Sequence, residues 1–255
     1  MKPSERALVI LSGGQDSTTA LFWAINRFKE VHAITFDYGQ RHRLEIQAAT
    51  KVAEMAGVAS HHLVDIQGIL RSSSPLVSNT ELEEYTSFHQ MDKEIGNRVE
   101  LTFVPMRNTL FFTVAANRAV ARKIENLVTG ICQEDNANYP DCTEGFRAAF
   151  EEMMNLSLGV EKRFLLHAPL INFSKAETVR LSSVLPGCWD ALAYTHTSYD
   201  GLYPPTGMNH ANVLRAHGFE EAGLPDPLVL RAWREGLMPL PSTKNYTSYQ
   251  PEQGK

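Results

Sequence analysis

Cysteine is scarce. The chain has three in 255 residues, an odd number without paired spacing, which excludes a disulfide-stapled secreted scaffold and suits a reducing cytoplasm. No apolar run approaches the ~20 residues that a membrane-spanning helix needs, so no membrane partner is expected. The polar start, Met1 to Arg6, leads straight towards an apolar stretch, and the expectation is a chain without a signal peptide. Positive charge is not in excess either: the net charge is −5, which argues against a surface that coats nucleic acid. No internal repeat is visible. Hydrophobic residues, in contrast, make up 43%, ample for the core of one large α/β domain with an appendage or of two small domains.

The chain is organised around Leu11-Ser12-Gly13-Gly14-Gln15-Asp16-Ser17-Thr18. The apolar run Ala7 to Leu11 before it reads as a buried parallel strand, and Thr19-Ala20-Leu21-Phe22-Trp23-Ala24-Ile25 after it as a helix packed on that strand. Paired glycines let a ligand approach the backbone, and Ser17 and Thr18 stand at the positive end of a helix dipole. Such a turn is a phosphate cradle. It lacks the lysine of the ATPase P-loop and the Gly-x-Gly-x-x-Gly of dinucleotide folds. Ser-Gly-Gly-x-Asp-Ser instead resembles the PP-loop of N-type ATP pyrophosphatases, which implies a grip on the pyrophosphate of ATP while an oxygen nucleophile attacks the α-phosphorus. Asp16 suits a Mg²⁺ ligand or a loop brace better than a phosphate contact.

Further along, Val31 to Phe36 reads as a second strand, ending in Asp37-Tyr38-Gly39-Gln40-Arg41-His42 on the edge where ligands of parallel sheets collect. A helix is predicted from about Arg43 to Ala56 with Gly57 as its C-cap, then a strand at 61–65. Residues 67–100 show no sustained periodicity and are expected to form a long loop or lid. Arg107 and Asn108 open the next predicted helix, where they can address an anion or the edges of adenine and ribose. After a strand at 126–131, the stretch Cys132 to Cys142 brings Glu134, Asp135, Tyr139 and Asp141, groups suited to a polar, guanine-like heterocycle. A helix is expected at about 143–158 and a last strand at 164–170. Ser174-Lys175-Ala176-Glu177 fits a capping box. Lys175 in that first turn opposes the helix dipole, a conflict that a phosphate ligand offsets.

Together, Ser-Gly-Gly-Gln-Asp-Ser-Thr-Thr at 12–19, Thr-Phe-Asp-Tyr-Gly-Gln-Arg-His at 35–42, Phe-Val-Pro-x-Arg-Asn at 103–108, Thr-Gly-Ile-Cys-Gln-Glu-Asp with Tyr-Pro-Asp-Cys at 129–142, and Lys-Ala-Glu-Thr at 175–178 resemble the QueC family of 7-cyano-7-deazaguanine synthases. The resemblance implies a Rossmann-like, doubly wound parallel sheet with a small C-terminal extension, often dimeric. The division expected is 1–185 for the ATP-binding catalytic domain and 186–255 for the extension. It also implies ATP-dependent activation of the carboxylate of 7-carboxy-7-deazaguanine, displacement by ammonia to an amide, and a second activation to the nitrile. ATP with Mg²⁺ would then sit on Leu11, Ser12, Gly13, Gly14, Gln15, Asp16, Ser17, Thr18, Thr19, Ala20 and Leu21. The deazaguanine would meet Asp37, Tyr38, Gln40, Arg41, His42, Arg107, Asn108, Glu134, Asp135, Tyr139 and Asp141. Asp16, Ser17, Arg107 and Lys175 are the candidates for the chemistry.

Two departures stand out. Met106 occupies a place where the family usually has glycine, putting a thioether where the backbone could approach a ligand. The family's four zinc-binding cysteines fall near Ser198, Thr206, Asn209 and Asn212, poor ligands for zinc. Cys188, His196 and His210 match no finger spacing, so no zinc is expected. Prolines and a short apolar helix around Leu228, Leu230 and Trp233 are expected to hold this tail, with a flexible end from Ser242. Tyr199, Tyr203 and Trp233 suggest, as an alternative, a QueC-like defence enzyme that conjugates the activated base to an amine of a protein acceptor. A non-catalytic nucleotide sensor is the reading from another class.

Overall fold

The computed structural model describes residues 5–40, 43–78, 80–133, 137–159, 164–199 and 201–249. Five strands, β1 (Arg6–Ile10), β2 (Glu30–Asp37), β3 (Ser60–Asp65), β4 (Asn126–Val128) and β5 (Leu165–His167), form one sheet in the order β3-β2-β1-β4-β5. Every pairing is parallel. This is the doubly wound order that the resemblance implied. The chain winds outward from β1 to β3, then returns to the other side of β1 as β4. The crevice at the strands' C-terminal ends therefore opens between β1 and β4, the switch point at which such sheets bind ligands.

Both faces of the sheet are covered, because β1 alternates its side chains between two cores. Ala7, Val9 and Leu11 join Leu21 of α1 (Gln15–Ile25), Val52 of α2 (Leu44–Ala56), Val179 of α6 (Lys175–Val184), Cys188 of α7 (Cys188–Leu192) and Phe219 of α8 (His210–Ala222). Leu8 and Ile10 face Phe112 and Ala115 of α4 (Arg107–Ala121) and Phe150 of α5 (Glu144–Ser157). Full burial of each large aliphatic or aromatic side chain is worth about 1.5–3 kcal/mol. Gly57 closes α2 in the left-handed region at φ 65°, and both bonds of the capping box at Ser174 and Glu177 are present. No helix among the described residues is long and apolar enough to cross a membrane.

Two expectations need correction. Residues 67–100 are not structureless: they contain α3 (Phe88–Ile95), N-capped by Ser87, whose hydroxyl accepts from the Gln90 amide. Met91 and Ile95 of α3 pack with Tyr85 onto Val213 and Leu214 of α8. Phe88, Met91 and Ile95 carry a helical spacing too short to stand out between polar neighbours. The end from Ser242 is not loose throughout. A 3₁₀ helix, Lys244–Tyr249, buries Tyr246, whose hydroxyl accepts from the amide of Asp226 at 3.1 Å.

Candidate active site

The 11–18 turn sits where β1 ends and α1 begins, at the switch point, and two bare backbones make it compact. A Cβ on Gly13 (φ 90°) would stand 2.3 Å from the Glu45 carbonyl oxygen and 2.7 Å from the Ala49 nitrogen, so α2 presses directly on the turn. A Cβ on Gly130, just past β4, would stand 2.7 Å from the amide nitrogen of Ser17. Hydroxyls finish the turn: Ser12 and Ser17 Oγ lie 2.9 Å apart, and Ser17 Oγ donates to the Gly14 carbonyl at 3.1 Å. Ser17 is thus a brace as well as a candidate contact.

Leu11, Ser12, Gly14, Gln15, Asp16 and Ser17 line a cavity with Tyr38, Arg107 and Lys175. Thr18, Thr19, Ala20 and Leu21, expected on ATP by resemblance, are fully buried behind it, with the Thr19 hydroxyl donating to the Gln15 carbonyl at 2.9 Å. Gln15 is the most exacting residue of the turn. Its side chain is 2% exposed, and neither its amide nitrogen nor its oxygen finds a hydrogen-bond partner among the described residues. A buried primary amide left so costs about 1–3 kcal/mol per unmet group.

Lys175 Nζ donates to Asp16 Oδ2 at 2.8 Å, with the lysine side chain 9% exposed. The carboxylate of Asp16 therefore offsets the dipole conflict that the sequence left to a phosphate. The lysine stem reaches the turn through a gap in α8: a Cβ on Gly218 would stand 2.3 Å from Lys175 Cγ.

At the other end of the cavity, Arg107 is coupled to Tyr38, Tyr139 and Tyr199, and hydrogen-bonds Tyr38. Burial raises the Tyr38 phenol well above its ordinary range, so it stays a neutral donor. Phe111 and Asn108 complete this wall. The Asn108 side chain donates to the Asp141 carbonyl at 3.2 Å, and the Asn108 backbone amide donates to the Asp141 carboxylate at 3.3 Å. Burial raises the Asp141 carboxyl above its usual range. Tyr139 shares a short hydroxyl contact with Thr102. Gln40 braces the turn after β2, its Oε1 accepting from the Tyr38 amide at 3.0 Å. Asp37 stays outside the cavity lining, occupied by Arg43 at 2.9 Å, Gln67 at 3.1 Å and the amide of Gly39 at 3.2 Å. Arg41, His42, Glu134 and Asp135 lie outside the described residues.

The sequence did not single out Glu45, Phe111 or Arg215 as cavity-lining residues. Glu45 stood three residues past the 37–42 motif, the one signal available. The extension supplies a whole wall, because the His196 amide donates to the Gly13 carbonyl at 2.9 Å and so stitches residues 195–199 onto the turn. Met106 is a correction. Its side chain is 63% exposed and its φ is 64°, so glycine belongs there for conformation, and the thioether points to solvent.

The positions that the resemblance gives to zinc are knotted by hydrogen bonds instead. Ser198 Oγ accepts from the amides of Asn209 at 3.1 Å and Asn212 at 2.8 Å, and the Asn212 side chain also donates to the Gly207 carbonyl at 2.7 Å. Thr206 is exposed. Cys188 is buried in the core, its thiol pushed up to about 12 by burial. This donor set does not fit zinc. Beside the knot, Arg215 (3% exposed) grips Asp226 (4%) in a two-point pair at 2.6 and 2.9 Å. It also donates to the hydroxyls of Thr195 at 2.9 Å and Thr197 at 2.7 Å.

The family model described as "Queuosine biosynthesis protein QueC" matches residues 6–223. The protein named 7-cyano-7-deazaguanine synthase from Laribacter hongkongensis is 48% identical over 235 residues, 91% of this chain and 97% of that relative. Its counterpart of the same name from Chromobacterium violaceum is 46% identical over 234 residues, 91% of this chain and 96% of its own. Among solved structures, the NH3-dependent NAD synthetase of Campylobacter jejuni shows a loose likeness: 15% identity, TM-score 0.41, 71% of this chain and 64% of that one. By the family match and both relatives, this chain belongs to the QueC family.

Proposed function

We propose that this chain uses ATP to adenylate the carboxylate of 7-carboxy-7-deazaguanine and passes the acyl group to ammonia, with 7-cyano-7-deazaguanine as the final product. The observation that carries the reading is Gln15, a buried amide without a partner among the described residues, at the first turn of α1, inside a glycine-built turn at the switch point. A nucleotide there satisfies it. The name carried by relatives at 46–48% identity supports the rest.

In this reading the turn and the N-terminus of α1 hold the leaving pyrophosphate. Asp16 and the phosphates would hold Mg²⁺, which supplies neutralising charge; one carboxylate beside phosphates suits that ion. Lys175 keeps Asp16 aimed. Arg107 orients the substrate carboxylate, while Tyr38, Tyr139 and Phe111 bound the heterocycle. Protein acceptance is the second reading, and one of the aromatic groups that suggested it, Tyr203, has other partners. The Tyr203 hydroxyl donates to Glu235 at 2.7 Å, and the Arg231 guanidinium lies 4.7 Å from the Tyr203 ring centre.

The test is incubation with ATP, Mg²⁺, 7-carboxy-7-deazaguanine and ammonia, with mass spectrometry of the small products. Nitrile and AMP are expected, and Asp16→Asn should lower AMP formation by ~10²-fold or more. AMP release unchanged in that variant would remove the assignment of the turn.

A further inference from the structure

The cavity joins two ends, the nucleotide turn and the Arg107 wall, and the described residue between them that bears an uncommitted carboxyl is Glu45. Among the described lining residues two carry carboxylates, Asp16 and Glu45, and Asp16 is held by Lys175 at 2.8 Å. Glu45 lies in the first turn of α2, whose backbone is pressed against Gly13, so its position is fixed by the turn itself. Arg107 faces it from the start of α4 and Tyr38 from the end of β2. The other titratable groups of the lining are His196 and His210 in the extension's wall, Tyr139 and Tyr199 around Arg107, and Cys132 and Cys142.

We infer that Glu45 is a catalytic residue of the nitrogen-transfer steps, taking the proton that the attacking nitrogen sheds; this rests on the synthase reading above. When ammonia attacks the acyl adenylate, a C–N bond forms and the C–O bond to AMP breaks. AMP leaves with the electron pair, and one N–H proton passes to the Glu45 carboxylate. In the second round the amide oxygen is adenylated by another ATP with release of pyrophosphate. Departure of AMP then forms the C≡N bond, and the nitrogen again gives up protons, one at a time, to Glu45 and on to solvent. Burial, opposed by Arg107, pushes the Glu45 carboxyl up to about 7, where a group both accepts and releases protons at neutral pH.

The test separates adenylation from transfer. Pyrophosphate exchange with ATP and the free carboxylic acid reads adenylation; absence of exchange in the wild type overturns the synthase reading itself. In Glu45→Gln, exchange should fall less than tenfold, while amide formation from ammonia falls ~10²- to 10³-fold. At constant free ammonia, the wild-type rise in rate through about pH 7 should disappear, and Glu45→Asp should recover part of the rate. Equal loss of exchange and transfer would make Glu45 a binding group and overturn the inference. So would a pH limb kept in Glu45→Gln but lost in His210→Gln. Folding of the variant is checked independently. A raised carboxyl pKa stabilises below the unfolded value of about 4.5 and loses that contribution as pH rises through about 7. Glu45→Gln should therefore melt like wild type in acid and above it in alkali.

Discussion

The 11–18 turn and the segment after residue 186 meet at the same cavity but are held by opposite means. Around the turn, backbone lies on backbone: Gly13 against α2 and Gly130 against Ser17, with no side chain between. In the extension, side chains reach across sequence: Arg215 to Asp226 and to two threonines, and Asn209 and Asn212 to Ser198. Close backbone approach fixes geometry tightly and tolerates no added atom. A polar knot fixes geometry only while every donor and acceptor is paired, because a buried group left alone is costly. One wall of the site is thus rigid by shape and the other by charge and hydrogen bonding.

The largest effect should follow from adding one methyl group to the first kind of wall. Gly13→Ala places a Cβ at 2.3 Å from a carbonyl oxygen at φ 90°, and overpacking plus backbone strain should cost about 3–5 kcal/mol. Denaturant unfolding reads the loss, and ATP binding should fail with it. In the second kind of wall, Arg215→Met leaves Asp226 buried and unpaired, which should cost about 3–5 kcal/mol, whereas Arg215→Met with Asp226→Leu should cost much less. A double variant as damaged as the single one would show that the pair is not a closed unit. The smallest effects sharpen the contrast. Met106→Gly should raise stability by about 0.5–1 kcal/mol, relief of the left-handed conformation outweighing the added chain entropy. A strong chelator should leave the melting temperature unchanged, since hydrogen bonds stand at the positions where the family places its zinc cysteines; one zinc per chain would overturn this.

The same contrast explains what was legible from sequence. Turn, strand and helix around Gly13 are contiguous, so apolar runs and a glycine pair announce them, whereas the doubly wound sheet was expected from the family resemblance. Asp16 and Lys175 were each singled out, yet their pairing was not, because nothing local links residues so far apart in the chain. Asp37 was expected near the substrate, and its partners Arg43 and Gln67 show a carboxylate used to brace the turn after β2. The missing zinc cysteines were plain, but not the Ser198 knot, since serine and asparagine at those positions read as loss until their mutual distances are known. Tyr246 gave no signal at all. A tyrosine in a polar tail looks like solvent-facing chain until Asp226 offers it an amide hydrogen.

Gly218 ties the two walls to the order in which the chain is made. Lys175 passes through the space that this glycine leaves in α8, so the charge beside the nucleotide turn takes its place only when a helix synthesised well after the whole sheet has packed down. A nascent chain that has finished its five strands still has Asp16 without a positioned lysine, and its cavity without the wall at residues 195–199.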